Sequence, residues 1–366
     1  MIVSNQRLLS LDLLRGLTII FMIIVNDPGS WDHVYPILRH ASWNGITPTD
    51  YIFPLFLFIM GCSVVLSIDK QRAQFSRQTL LKKILFRALK IYAVGIFLWL
   101  WPAFELDRIR WVGVLPRIAL VYLASALLYL YTTQRTQRIT TVGILIGYWI
   151  VICYVPIPGL GAPDISIPEK NWAHYIDSLL LPGVLWQKTW DPEGILSTLP
   201  AIATGLLGVF AGKILQQKDS TLQDKLIPLF LMGTLLLFLG DIGQYFFPLN
   251  KNLWSSSFTL LTAGIGCLGL GACIYLCDIK GWGKHLKMAH AFGVNSIFSY
   301  VLASLFYLLF YSDRLWSVGL NELFMTHLDV GLVSKKFLSL SYALLYAGVI
   351  WIPTQYLFKK KIYIKL

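Results

Sequence analysis

Between Ser10 and Gly61 the chain collects residues that can do chemistry at the mouth of two apolar runs. Asp12 and Arg15 lie three apart and share one face of an apolar helix. That helix runs on to Asn26-Asp27-Pro28-Gly29, and His40 follows in the string Arg39-His40-Ala41-Ser42-Trp43-Asn44-Gly45 before a second apolar run opens at Tyr51. Imidazole is suited to taking a proton from an amine or hydroxyl near neutral pH, and the Asn26 amide can donate to a developing oxyanion. If the two meet, base and oxyanion donor are in place for acyl transfer. A loop histidine with a structural partner satisfies the same spacing, as does a structural Asp12–Arg15 ion pair or an arginine reaching to the interface. Asn26 lies 14 residues beyond Asp12, about 21 Å along a helix axis. One helix thus presents a charged pair near one end and an amide near the other, an arrangement expected of chemistry conducted across a membrane.

The elements that must hold these residues follow from composition. Hydrophobic residues make up 56% of the chain and charged residues 14%, with a mean hydropathy of +0.63, which excludes a soluble core. Apolar runs long enough to cross roughly 30 Å of hydrocarbon recur along the whole chain. They read as about ten spans, at 8–27, 51–69, 84–102, 112–131, 140–157, 194–212, 226–246, 257–277, 291–310 and 337–358. Continuous apolarity without in-and-out alternation favours helices over a barrel, so the predicted fold is all-α, a polytopic integral membrane protein. No fixed repeat or low-complexity tract divides it, and residues 1–366 read as one transmembrane domain. The longest external stretch, about 158–194, holds Trp172, Trp186 and Trp190 and ends in Asp191-Pro192-Glu193-Gly194. It has the length of a lid or binding loop, and its aromatic rings suit a sugar face or the membrane interface.

Basic residues set the expected orientation. Eighteen Lys and Arg fall on the loops that share a side with Arg7 and the Lys359-Lys360-Lys361 tail, against nine on the opposite loops. Both termini are therefore expected in the cytoplasm and His40 outside. The net charge of +12 is spread over short inner loops, where anionic lipid headgroups are the natural partner and nucleic acid is not. The first span, interrupted by Asp12 and Arg15 with no small-residue cleavage site after it, reads as retained rather than as a signal peptide. All five cysteines, Cys62, Cys153, Cys267, Cys273 and Cys277, fall in predicted spans, and the six histidines lack metal-ligand spacing, so no disulfide or metal site is expected.

Several rare polar strings then carry a resemblance. Ser10-Leu-Asp-Leu-Leu-Arg-Gly16, Val25-Asn26, His40-Ala-Ser-Trp-Asn-Gly45, Thr47-Pro-Thr-Asp50 and Phe53-Pro-Leu-Phe-Leu-Phe-Ile-Met-Gly61 resemble the transmembrane acyltransferases typified by heparan-α-glucosaminide N-acetyltransferase. Gly113-Val-Leu-Pro-Arg117-Ile-Ala, Asp191-Pro-Glu-Gly194, Pro248-Leu-Asn-Lys-Asn-Leu-Trp254 and Gly293-Val-Asn-Ser-Ile297 extend the match over nearly the whole chain.

That resemblance implies acetyl transfer from cytosolic acetyl-CoA to the amine of a glucosamine-type sugar on the far side of the membrane. His40 and Asn26 take the positions of the family's histidine and asparagine on the acceptor side. Direct attack of the amine on the thioester, with His40 as general base, is the preferred mechanism, and an acetyl-histidine intermediate is the alternative. Arg15, Arg117, Asn295 and Ser296 are candidates for acetyl-CoA, each with a helix-packing role as the alternative. Trp43, Asn44, Asp50, Asp191, Glu193, Asn252 and Trp254 are candidates for the acceptor, with helix capping the alternative for Asp50 and interfacial anchoring for Trp254. Asp241, read as deep in the seventh span, is expected to pair with Arg15 or Arg117. The chain reads as lacking the family's external soluble domain, so the acceptor is expected to be another exported amino sugar or glycan, at a bacterial inner membrane with the His40 loop facing the periplasm. A homodimer is compatible with this reading. A sugar O-acyltransferase, or a transporter or flippase, would use similar residues.

Overall fold

The computed structural model describes residues 8–217, 220–313, 317–329, 331 and 333–364. Arg7, Lys218, Arg314 and Lys365 of the charge comparison lie outside them. In chain order the helices are α1 (Leu9–Asn26), α2 (Ile52–Arg72), α3 (Arg77–Leu100), α4 (Val114–Tyr131), α5 (Gln134–Tyr154), α6 (Trp172–Leu180) and α7 (Thr198–Leu215). They continue as α8 (Leu222–Gly243), α9 (Ser256–Cys273), α10 (Lys287–Val294), α11 (Ser296–Phe310), α12 (Leu320–His327) and α13 (Lys335–Lys359). The described residues form no strand, only the isolated bridges Arg110 to Gly183 and Ile157 to Gly161. Helix starts are written in the chain. Ser76, Thr133 and Ser334 accept from the backbone N–H three residues on, and Thr221 and Asp224 cap each other reciprocally at the start of α8.

Among the described residues eight helices are long and apolar enough to cross a membrane: α1, α2, α4, α5, α7, α8, α9 with its π-helical extension to Ile279, and α13. The run expected at 84–102 forms α3, which carries Arg77, Lys82, Lys83, Arg87 and Lys90 over its first 14 residues. The run expected at 291–310 is not one rod. α10 and α11 meet at 89° around Asn295, whose φ of −115° and ψ of 38° leave the helical region. Its side chain donates to the Ile362 carbonyl (3.2 Å) and accepts from the Ile364 N–H (3.0 Å), so hydrogen bonds offset the interrupted ladder. The 158–194 stretch also holds more order than a loop, since α6 lies within it, capped by Asn171 accepting from the His174 N–H at 3.0 Å. Asp241 departs from expectation. It sits exposed near the end of α8 and accepts from the Gln244 amide at 2.6 Å rather than pairing with an arginine.

The described residues group into two compact units. One comprises Ala41–Ile46 and Pro54–Ala272. Its core joins Val64, Val65 and Ile68 of α2 to Leu80 and Ile84 of α3, Ala126 and Leu130 of α4, and Val209 of α7. α2 and α7 approach so closely that a Cβ on Gly208 would lie 2.1 Å from the Phe58 carbonyl oxygen. The other unit takes 8–40, Thr47–Phe53 and the described residues from Cys273 onward. There α1 packs on α10 backbone to backbone: a Cβ on Gly16 would meet the Ala289 oxygen at 1.7 Å, and one on Gly293 the Asp12 oxygen at 1.8 Å. Inside lipid such small-residue contacts replace the hydrophobic drive that water would supply.

Candidate active site

The unit containing α1 builds a histidine site from two short turns. Pro36–Leu38 and Pro48–Tyr51 are 3₁₀ turns, each opened by a proline that presets the first φ. Thr47 Oγ1 donates to the Arg39 carbonyl (2.6 Å) and Thr49 Oγ1 to the Ile37 carbonyl (3.4 Å), stitching one turn to the other. This places Asp50 Oδ1 at 2.6 Å from His40 Nδ1. Asp50 Oδ2 accepts from the Thr47 N–H (3.0 Å) and Oγ1 (3.1 Å). The Asp50 side chain is 1% exposed, whereas that of His40 is 38% exposed. An ionised carboxylate only accepts, so Nδ1 is the ring's donor and Nε2 carries the lone pair of the neutral imidazole. The arrangement is that of a base whose tautomer is set by a buried acid.

Asn26 is the exposed last residue of α1. Directly after it, Asp27 accepts at its main-chain oxygen from Tyr311 Oη (2.6 Å), and burial pushes its carboxyl up to about 8. Sequence reasoning quoted Asp27 without giving it a role; the available signal was an acid set at the end of an apolar helix. In the same unit Arg15 Nη1 donates to Asp12 Oδ1 (3.1 Å) and to the Gly293 carbonyl (3.2 Å), tying α1 to α10. Asn295 is fully buried and its amide holds residues 362 and 364, while Ser296 is the half-buried first residue of α11.

The other unit gathers a second polar group. Arg110, which sequence reasoning passed over, donates through Nε and Nη2 to both Asp191 oxygens (2.7 and 2.6 Å) and through Nη2 to Glu193 Oε2 (2.6 Å). All three residues are buried, and the rings of Trp99 and Trp186 lie 5.5 and 5.1 Å from the guanidinium carbon. Burial works to lower the Arg110 pKa, and the two carboxylates outweigh it and raise it. Asp191 also accepts from the backbone N–H groups of Trp186 (3.0 Å) and Glu193 (2.9 Å), so both acids are engaged in closing this loop. Beside them Asp177 accepts from the Ile195 N–H (2.8 Å), and a Cβ on Gly194 would strike its carboxylate. Burial first, with the Asp191 charge adding to it, pushes the Asp177 carboxyl up to about 7.

Arg117 is 1% exposed. Its Nη2 donates to the Gly194 carbonyl (3.1 Å) and to Ser197 Oγ, and its guanidinium lies 5.1 Å from the Trp254 ring centre. Nε and Nη1 have no hydrogen-bond partner among the described residues. Trp254, buried, donates to Thr204 Oγ1 (3.0 Å). Trp43 is half-buried, edge-on to Trp190 with ring centres 5.1 Å apart, and donates to the Ile165 carbonyl (2.7 Å). Asn44 is exposed and accepts from Asn250 Nδ2 (3.0 Å), and Asn252 is half-buried two residues on. The structure thus joins His40 to Asp50, Asp191 to Glu193 through Arg110, and Arg117 to Trp254.

These features define an all-helical membrane protein with an exposed histidine backed by a buried carboxylate. Residues 7–247 match the catalytic region of heparan-alpha-glucosaminide N-acetyltransferase, and the chain belongs to that family. It is 30% identical over 417 aligned residues to the human heparan-alpha-glucosaminide N-acetyltransferase, covering 98% of this chain and 60% of the human protein. With the mouse heparan-alpha-glucosaminide N-acetyltransferase it shares 29% identity over 422 residues, covering 99% of this chain and 61% of the relative. The chain spans about three fifths of the length of these relatives. His40, Asp50, Arg110, Arg117, Asp191 and Glu193 fall inside the matched catalytic region, and Asn252, Trp254, Asn295 and Ser296 beyond it.

Proposed function

We propose that this protein is a transmembrane acetyltransferase that moves an acetyl group from cytosolic acetyl-CoA to the amine of an amino sugar on the outer face of a bacterial inner membrane. The observation that carries the reading is the 2.6 Å contact between His40 and the buried Asp50. The neutral acceptor amine attacks the thioester carbonyl carbon, and the carbon–sulfur bond breaks. His40 Nε2 takes the proton that the amine nitrogen sheds and passes it to the departing thiolate, giving the amide and free CoA. Asp50 holds the imidazole in the tautomer that accepts at Nε2 and stabilises the imidazolium between the two proton transfers. Asn26 donates to the thioester oxygen as it gains charge.

Arg117 is the cation best suited to the donor, because two of its buried nitrogens have no partner among the described residues and a buried N–H group without an acceptor is costly. Arg15, Asn295 and Ser296 remain candidates for acetyl-CoA, with helix packing within their own unit as the alternative. Trp43, Asn44, Asn252 and Trp254 form the acceptor side, and Asp191 and Glu193 support it through Arg110. The reading includes ten spans, with α3 and the broken α10–α11 pair each counted as one, both termini inside, and a possible homodimer.

The test is an incubation of purified protein with radiolabelled acetyl-CoA and glucosamine. An amide product lost in His40→Ala is the expected result. An ester product would replace the reading by sugar O-acylation, and substrate uptake with neither product by transport.

A further inference from the structure

One cavity of the larger unit is left unused by the proposed chemistry. It has a volume of about 160 Å³ and lies between α2, α3 and α4, lined among others by Ser63, Ser67, Gln71, Lys83, Arg87 and Tyr122. The three α2 residues recur every fourth position and so form one hydrogen-bonding stripe, in which Gln71 Nε2 donates to Ser67 Oγ at 2.9 Å. Lys83 and Arg87 recur in the same way on α3, with Lys90 one turn further along the same face. The Lys83 ammonium lies over the Phe75 ring (3.0 Å to its centre) and the Arg87 guanidinium lies beside the Tyr122 ring (4.9 Å).

Charge decides what this space can hold. Among the described residues no carboxylate lines it, and α3 contains five basic residues and no acidic one. Lys83 is exposed and Arg87 sits half-buried beside Tyr122, so the charge that the lining presents is positive and favours an anionic occupant. The volume is many times the roughly 10–15 Å³ that one water requires and below the ~300 Å³ where pockets for whole organic ligands begin. It accommodates a lipid headgroup or the phosphate end of a nucleotide, not a complete nucleotide cofactor. Beside it α3 exposes Leu85, Phe86 and Leu89 at 45%, 63% and 63%, an apolar face on which hydrocarbon can lie.

We infer that the α2–α3–α4 cavity binds a phosphate ester, with Lys83 and Arg87 neutralising the phosphate and Ser63, Ser67 and Gln71 bonding the polar atoms next to it. The exposed apolar face of α3 makes an anionic glycerophospholipid the first source, its acyl chains on Leu85, Phe86 and Leu89. The phosphates of a nucleotide such as the proposed acetyl donor present the same chemistry. The site requires no acyl-transfer activity and can fail or stand independently of it.

The test uses the full chain in nanodiscs of phosphatidylcholine with a minority of phosphatidylglycerol, with bound lipid counted by native mass spectrometry after extraction. Retained phosphatidylglycerol should fall roughly tenfold or more in Lys83→Gln/Arg87→Gln, from about 1 kcal/mol per neutralised cation near an anionic headgroup. Lys82→Gln, on an exposed neighbour outside the cavity, should leave it unchanged, and Lys83→Arg should retain it. In a second arm that needs no variant, amine-reactive labelling of Lys83 should slow when phosphatidylglycerol replaces phosphatidylcholine. Slowing by adenosine bisphosphate instead, with no phosphatidylglycerol effect, supports the same pocket with the nucleotide as its source. Equal labelling under all three conditions overturns the site, as does equal lipid retention by a double variant with wild-type melting.

Discussion

At the scale of single residues the decisive pair is His40 with Asp50. Sequence reasoning placed Asp50 among acceptor-binding or helix-capping residues, and in the structure one of its buried oxygens meets Thr47 and the other the imidazole. On the proposed reading the Asp50 carboxylate would act through the histidine rather than on the sugar. Asp50→Asn should therefore lower kcat by about 10²-fold, within the range of a general base, while leaving KM for the amino sugar near the wild-type value. A raised KM with kcat intact would return Asp50 to the acceptor-binding role. Arg110 is the residue-scale counterpart in the other unit: two buried carboxylates need its charge, and truncating it would strand both.

At the scale of elements, the stretch from Pro158 to Gly194 is a folded segment and not a slack connection. α6 is capped at Asn171 and pinned at Asp177, whose carboxyl reaches the Ile195 N–H. With the Asp177 carboxyl at about 7 in the fold against an ordinary 3.8, the native state keeps a proton that the unfolded chain has already released. Stability contributed here is highest below the unfolded value and declines as pH rises from about 4 to about 7, after which it is level. Asp177→Asn keeps an oxygen for Ile195 and cannot titrate. Its melting temperature should drop less than the wild type's across that window, and an unchanged slope would show that Asp177 does not hold the proton. The α10–α11 break belongs to this scale too, because Asn295 exchanges helical hydrogen bonds for bonds to the chain near its end.

At the scale of the whole molecule the open quantity is sidedness, which the transfer reaction requires and which the basic-residue count anticipates. Cysteines introduced at the exposed positions Ser42 and Gln74 should report it in a background where the half-buried Cys153 and Cys273 are replaced by serine, since Cys62, Cys267 and Cys277 are buried. A membrane-impermeant maleimide should label Ser42→Cys in right-side-out vesicles and Gln74→Cys only after permeabilisation. The reverse pattern would remove the premise of transfer across the membrane.

Composition and apolar run length were enough to determine an all-helical membrane fold, because a backbone in hydrocarbon must satisfy its hydrogen bonds within each segment. The rare string around His40 was enough to single out the family, which the match over residues 7–247 shows. Neither disclosed that α10 and α11 part at 89°, since the run remains apolar across Asn295, or that Asp241 reaches Gln244 rather than an arginine, since apolarity does not report depth. Arg110 with Asp191, 81 residues apart, was beyond reading for the same reason. Long-range pairing among buried charges is set by which helices and turns meet, and a span's periodicity records the face it buries without naming the partner it buries against.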